Sequence, residues 1–313
     1  MKIQTMHTQT KAAPTDIRAW TRNWQLYLFL APTLIYFLVF RYYPMIGLQI
    51  AFKDFSPMLG IWGSPWIGGE HFRRFFSSSE FWNLLSNTML LSVAQLVVMF
   101  PVPILLALMI NQMRSGKYRR IVQTVIYAPH FISTVTLVGI LFVFLSTRTG
   151  VVNKVIELMG GNAIFFMGEA GWFRPLYVLS SLWQNSGWGT IVYLAALTAI
   201  SPELHEAAIV DGATKIQRIR HIDIPGILPT AVVMLILNLG NLMSIGFEKA
   251  FLMQTSLNMP RAEIISTYVY KVGLLGAQFG FSTAVGFFNS VINLILILSV
   301  NRITRRAYQL SLF

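Results

Sequence analysis

An all-α polytopic membrane protein with six membrane-crossing helices is the fold that this 313-residue sequence predicts. Three observations lead there. Hydrophobic residues make up 55% of the chain and charged ones only 12%, which is too little polar surface to coat a globule of this size. Six nearly uncharged stretches, 24–52, 84–110, 121–147, 175–200, 227–247 and 279–300, are each long enough for a hydrocarbon core about 30 Å thick, which takes roughly 20 apolar residues to cross. The cations gather at the ends of those stretches, where water and lipid headgroups can solvate them.

Residues 1–23 are polar and read as a flexible cytoplasmic tail; residues 24–313 form the membrane domain. The first stretch is long, follows more than twenty polar residues and lacks a small-residue cleavage site, so it is read as a retained helix, not a signal peptide. Outside it, Trp62, Trp66 and Trp82 suit the headgroup interface, or a dock for an external partner. Pro101 and Pro103 predict a kink in the second helix. The third holds Pro129 and His130. A lone histidine in a span can relay protons, but no acid stands at helical spacing from it, which favours structural hydrogen bonding. The fourth follows an outer loop with an amphipathic portion over 151–159, and a second outer segment, 248–278, carries Pro260 and a predicted helix over 262–275. No internal repeat is apparent.

The formal charge of +12 raises nucleic acid as a partner, and its distribution excludes that reading. With both termini in the cytoplasm, as six crossings require, the inner side carries fourteen lysines and arginines against five acids, the outer side ten against seven. The short inner loop 112–120 has four cations and no acid, the arrangement to which the positive-inside rule applies most strongly. Cysteine is absent, which excludes disulfides and thiolate metal sites. Gly116-Lys117 lacks the surrounding phosphate-cradling loop, so the chain has no ATPase site of its own. No His-Glu-x-x-His or Gly-x-Ser-x-Gly pattern occurs either. Acids within the spans are scarce, which weakens an ion-coupled transporter.

The inner loop 201–226 is the most informative segment. It reads Glu206-Ala207-Ala208, two residues, Asp211-Gly212-Ala213, eight residues, Ile222, then Ile224-Pro225. Ser201 is placed to cap a helix over 202–210 that starts with Pro202 and Glu203. Leu204, Ala207, Ala208 and Val210 give it a small apolar face. Asp211-Gly212 breaks it, glycine accepting positive φ at little cost. A second helix, about 213–221, displays Lys215, Arg218 and Arg220 to lipid phosphates or an acidic partner, and Pro225 is expected to end it. Amphipathicity alone fits an ordinary linker equally well.

That pattern resembles the EAA loop of the permease subunits of binding-protein-dependent ABC importers, and only Ile224 departs, standing where the family has leucine. The resemblance extends from about residue 24 to the C-terminus and is nearest to an oligosaccharide branch that includes importers of alginate and rhamnogalacturonan fragments. It implies the type I importer transmembrane domain in the bacterial inner membrane. It also implies a second, similar permease, two ATP-binding subunits that hold ATP and magnesium, and an external solute-binding protein. In the family, the segment matching Glu206, Ala207, Ala208, Asp211, Gly212, Ala213, Ile222 and Pro225 couples the permease to the ATPase, and no cofactor sits on the permease itself.

Sugars need amide or hydroxyl partners and aromatic faces. Trp183-Gln184-Asn185-Ser186-Gly187-Trp188 at the expected start of the fourth helix, and Asn238, Asn241 and Ser244 spaced by three on the fifth, offer both. Such polar groups also serve as interhelical hydrogen-bond links. The resemblance favours Trp183, Asn185, Gly187, Trp188, Asn238, Asn241 and Ser244 as the solute path, with a lean to uronate-containing sugars such as alginate; Asn289 and Asn293 fit packing better. Two rival functions are a non-transporting scaffold or receptor, and an enzyme on lipid-linked glycans. The polar residues inside helices four and five count against the first, and the missing catalytic cluster against the second.

Overall fold

A computed structural model describes residues 24–113, 116–240, 242–243 and 245–308, with 303–308 described by backbone alone. The tail 1–23 and the candidate path residues Asn241 and Ser244 lie outside the described residues. Helix α1 (Trp24–Phe52) is covered with exposed apolar side chains such as Leu26, Phe29 and Phe40, as suits a surface whose solvent is lipid. Helix α2 (Glu80–Asn111) runs through Pro101 and Pro103 as one 32-residue helix. At the junction before Pro101, Phe100 keeps helical angles of φ −78° and ψ −50° and its N–H still bonds the Leu96 carbonyl at 3.0 Å, so the expected kink does not break the helix.

The third stretch is not one straight helix. Helices α3 (Lys117–Phe131) and α4 (Thr134–Phe144) meet at 96°. Pro129 opens a final tight turn, Ile132 is extended, and Ser133 starts the next helix by accepting the Thr136 N–H at 3.2 Å. A carbonyl exposed by such a break needs a donor in a dry interior, and Gln184 supplies one to Ile132 at 2.8 Å.

Helix α5 (Val151–Leu158) falls on the expected amphipathic segment. Helix α6 (Ala170–Thr198) has 29 residues, about 43 Å of helix, yet is not among the helices apolar enough to be read as a span from composition. Ser180, Ser181, Gln184, Ser186 and Thr190 dilute it and are all buried. A helix at the centre of the bundle meets protein on its sides, so it can carry polar side chains that a lipid-facing helix cannot. Among the described residues, four helices are long and apolar enough to cross a membrane, the bent pair α3 and α4 makes up to five, and α6 stands beside them as a long polar helix.

After helix α7 (Pro202–Val210), helix α8 (Lys215–Gly240) runs unbroken through Pro225, correcting the expectation that Pro225 ends one helix and begins another. A proline removes a donor and drives its ring against the carbonyl four residues back. Here that carbonyl belongs to His221, inside a wide π turn over Ile219–Asp223, where the backbone bond from Ile224 reaches back to Ile219. The same device precedes Pro44 in α1, where the π turn is Leu38–Tyr42. Helix α8 is described as far as Gly240, and residues 242–243 form a turn, short of the predicted 247.

Helix α9 (Phe247–Met253) and helix α10 (Phe279–Tyr308) complete the bundle. Asn289 and Asn293 of α10 bracket the turn after α8, through the carbonyl and N–H of Met243 at 3.4 and 2.9 Å. Elsewhere, buried Asn87 of α2 donates to the carbonyls of Pro260 and Glu263 at 2.9 and 3.0 Å and accepts from Arg174 at 2.7 Å. We expect Asn87→Ala to destabilise the detergent-solubilised protein by about 1–3 kcal/mol, since it removes three part-buried hydrogen bonds; a thermal unfolding series would read this as a clear fall in Tm.

Candidate functional site

Two sites emerge, one at an end of the bundle and one in its middle. At the first, α7 stands almost uncovered. Only His205 and Ala208 are even partly buried, and Val210 is 86% exposed. The small apolar face predicted for this helix therefore has no cover from its own chain, and an open apolar helix face is what a docked partner buries. Ser201 makes no side-chain cap, contrary to expectation, and Pro202 at the first position takes over, since it has no N–H to leave unsatisfied.

The far end of α7 explains the spacing of the motif. Gly212 has φ +78°, its N–H bonds Ile209 at 3.0 Å, and the Ala213 N–H reaches back to Ala208 at 2.8 Å. These two bonds form the Schellman stop, which satisfies the last carbonyls of a helix and requires a left-handed residue at the glycine position. Two residues on, Thr214 and Gln217 form a reciprocal cap that starts α8, with the Thr214 N–H bonded to Gln217 Oε1 at 2.7 Å. The Thr-x-x-Gln spacing announces that cap in the sequence, where it went unread. Stop and start together hold a concavity of about 340 Å³ lined by Ala208, Asp211, Gly212, Ala213, Gln217, Arg218, His221 and Ile222. Glu206, Ala207 and Pro225 lie outside that lining and are exposed.

The second site is a cavity of about 410 Å³ between α2, α6 and α8. Its lining includes Asn185, Trp188 and Asn238 of the predicted path, joined by Ser92, Gln95 and Tyr193. The segment 183–188 lies near the middle of α6, not at its start. Trp183 and Gly187 are not in the lining. Gly187 instead lets two backbones touch, because a Cβ there would run into the carbonyl of Ile126 on α3.

His130 organises this cavity. Its ring stacks on Trp188 with centroids 4.5 Å apart and planes 7° from parallel. Its Nδ1 lies 3.1 Å from Asn185 Oδ1. The Asn185 amide donates to the Ser181 carbonyl at 3.2 Å, which assigns Oδ1 to the histidine side. His130 Nδ1 then carries the proton and donates, leaving Nε2 as an acceptor. Lys249, read as an outer-surface cation, is only 6% exposed. It donates to Ser181 Oγ at 2.7 Å and to the Tyr177 carbonyl at 3.1 Å, and burial lowers its pKa to about 7.

Residues 99–308 match the family described as binding-protein-dependent transport system inner membrane component. The chain belongs to this family of ABC importer permeases. Among its relatives, the permease is 47% identical over 292 residues to protein LplB of Bacillus subtilis strain 168, covering 93% of this chain and 92% of that one. It is also 47% identical over 281 residues to the polygalacturonan/rhamnogalacturonan transport system permease protein YteP of the same organism, covering 90% and 88%. A solved bacterial ABC transporter involved in the import of the acidic polysaccharide alginate aligns at TM-score 0.87 and 44% identity, over 93% of the permease and 99% of that chain. Like that family, the permease is a transport subunit of the inner membrane.

Reading the sequence alone also left Asp223 of the permease unremarked except as an inner acid. It is completely buried, facing His205 and Gln112. The signal was present: an acid set among Ile222, Ile224 and Ile227, where an unpaired charge would be costly.

Proposed function

We propose that this permease forms half of the transmembrane path for an oligosaccharide and moves it by alternating access, driven through α7 by a separately encoded pair of ATPases that bind ATP and magnesium. The observation that carries the reading is the cavity of about 410 Å³ amid the bundle, where the Gln95, Asn185 and Asn238 amides and the Trp188 indole provide both kinds of contact that sugars use. A scaffold or receptor would have no use for such a chamber. The bare helix α7 supports the coupling half, with Ala207, Ala208 and Glu206 on the docking side and Gly212 and Ala213 holding its end.

The partners follow from the same reading: a second permease of the same family, two ATP-binding subunits and an external solute-binding protein, with both termini of this chain in the cytoplasm. The cavity lining carries no charged side chain. The lean to uronate-containing oligosaccharides therefore rests on YteP, a polygalacturonan/rhamnogalacturonan permease by name, and on the alginate transporter, one structure of which holds an alginate pentasaccharide-bound periplasmic protein.

The test is reconstitution of the assembled transporter in liposomes with a panel of acidic and neutral oligosaccharides. Alginate pentasaccharide on its binding protein is expected to stimulate ATP turnover, with neutral malto-oligosaccharides of equal length giving no rise. Stimulation by the neutral set alone would overturn the acidic assignment, and no ATPase recruitment at all would overturn the coupling.

A further inference from the structure

The permease's coupling helix must move the bundle, yet α7 touches it sparingly. Between Pro202 and Val210 only His205 and Ala208 are partly covered. Ala208 offers a methyl group. His205 offers a polar link, with its Nε2 3.3 Å from Asp223 Oδ1. The other carboxylate oxygen, Oδ2, accepts from Gln112 Nε2 at 3.1 Å. One carboxylate thus joins three elements: α7, the π turn near the start of α8, and the residue that caps α2.

We propose that His205, Asp223 and Gln112 form a clamp that makes α7, the end of α2 and the start of α8 move as one body. The proposal rests on the coupling reading of α7 and adds which residues carry the displacement inward. A fully buried carboxylate is costly unless its oxygens are met by polar partners; here Oδ2 accepts from Gln112, while Oδ1, which accepts no hydrogen bond, has His205 Nε2 3.3 Å away. Arg218, on α8 itself, adds a positive charge acting on the acid. Sliding α7 away from α2 and α8 would uncover or strand that carboxylate, so the clamp resists relative motion more than apolar contact would. Its position in the π turn adds to this. The turn holds Asp223 two residues before Pro225, so a pull on the carboxylate acts on the first turns of a helix that continues to the cavity wall at Met234 and Asn238. Gln112 ties the same acid to α2, which lines the cavity's other side through Gln95, Met99 and Pro103. His205, Asp223 and Gln112 are positioning residues, acting through the helices they join.

The experiment uses the full transporter with cysteine-free partner subunits. This chain has no cysteine, so Met109→Cys on α2 and Ile209→Cys on α7, both exposed, accept a single spin-label pair away from the residues placed on the docking face. With His205 present, we expect one narrow inter-label distance in both the nucleotide-free and ATP-bound states. His205→Ala, at a partly exposed position that spares the fold, is expected to broaden that distance and to lower the solute moved per ATP hydrolysed by about fivefold or more. His205→Gln, which keeps a polar side chain facing Asp223, should restore both. A distance that stays narrow in His205→Ala overturns the clamp, as does an equal loss in His205→Gln, or loss of the bound ATPases on His205→Ala. If the unsubstituted chain itself never retains the ATPases, the coupling reading fails instead, so the two failures are told apart.

Discussion

Gly212→Pro abolishes uptake while leaving the permease inserted in the membrane: this is the largest effect expected of any single change in the chain. Gly212 sits at φ +78°, which proline, locked near −65°, cannot reach. Proline would also delete the N–H that bonds Ile209 at 3.0 Å, for a local cost of about 3 kcal/mol or more. That cost falls on an exposed turn, so the bundle itself survives and α7 loses its defined end. Gly212→Ala should be milder, at about 1–2 kcal/mol for a left-handed alanine, and should leave partial transport. Glu206→Lys makes the complementary test, because Glu206 is exposed and reversing its charge alters the docking face without touching the helix stop. Uptake into liposomes, measured alongside retention of the ATPases, checks all three; normal uptake by Gly212→Pro would refute the role of this turn.

The second large effect is expected from Trp188→Ala. The indole lines the cavity and stacks on His130 with centroids 4.5 Å apart, so removing it takes away an aromatic face for the solute and frees the histidine that holds Asn185. We expect uptake to drop by about tenfold, equivalent to about 1.4 kcal/mol, with solute-independent ATP turnover unchanged. If Trp188, Asn185 and Asn238 were only interhelical links, the substitution would lower Tm and leave uptake per folded molecule intact. Measuring both quantities on the same preparation separates a path residue from a packing one.

The coupling loop was the most legible part of the sequence because its signals are local. A helix start at Pro202, a stop at Gly212 and the spacing between them are set by backbone chemistry within a few residues, and the structure returns the helix Pro202–Val210 on the predicted bounds. The path was less legible. Asn185, Trp188 and Gly187 are neighbours in sequence, yet the first two reach the cavity and the third meets Ile126, since a helix turns adjacent residues toward different partners. Pro225 was misread for a related reason. Proline breaks a regular helix, and only the π turn at Ile219–Asp223 makes room for it.

By itself, then, the order of residues determined that the chain lives in a bilayer, where its long apolar runs lie, and how its inner loop bends. Each of these follows from composition or from bonds spanning a few residues. The tertiary structure decided that α3 and α4 turn through 96°, that polar α6 forms the centre of the bundle, and that Asp223 faces polar side chains 18 and 111 residues before it. Those outcomes depend on which distant groups share a dry interior, where every polar atom must find a partner, and one-dimensional spacing carries no record of that pairing.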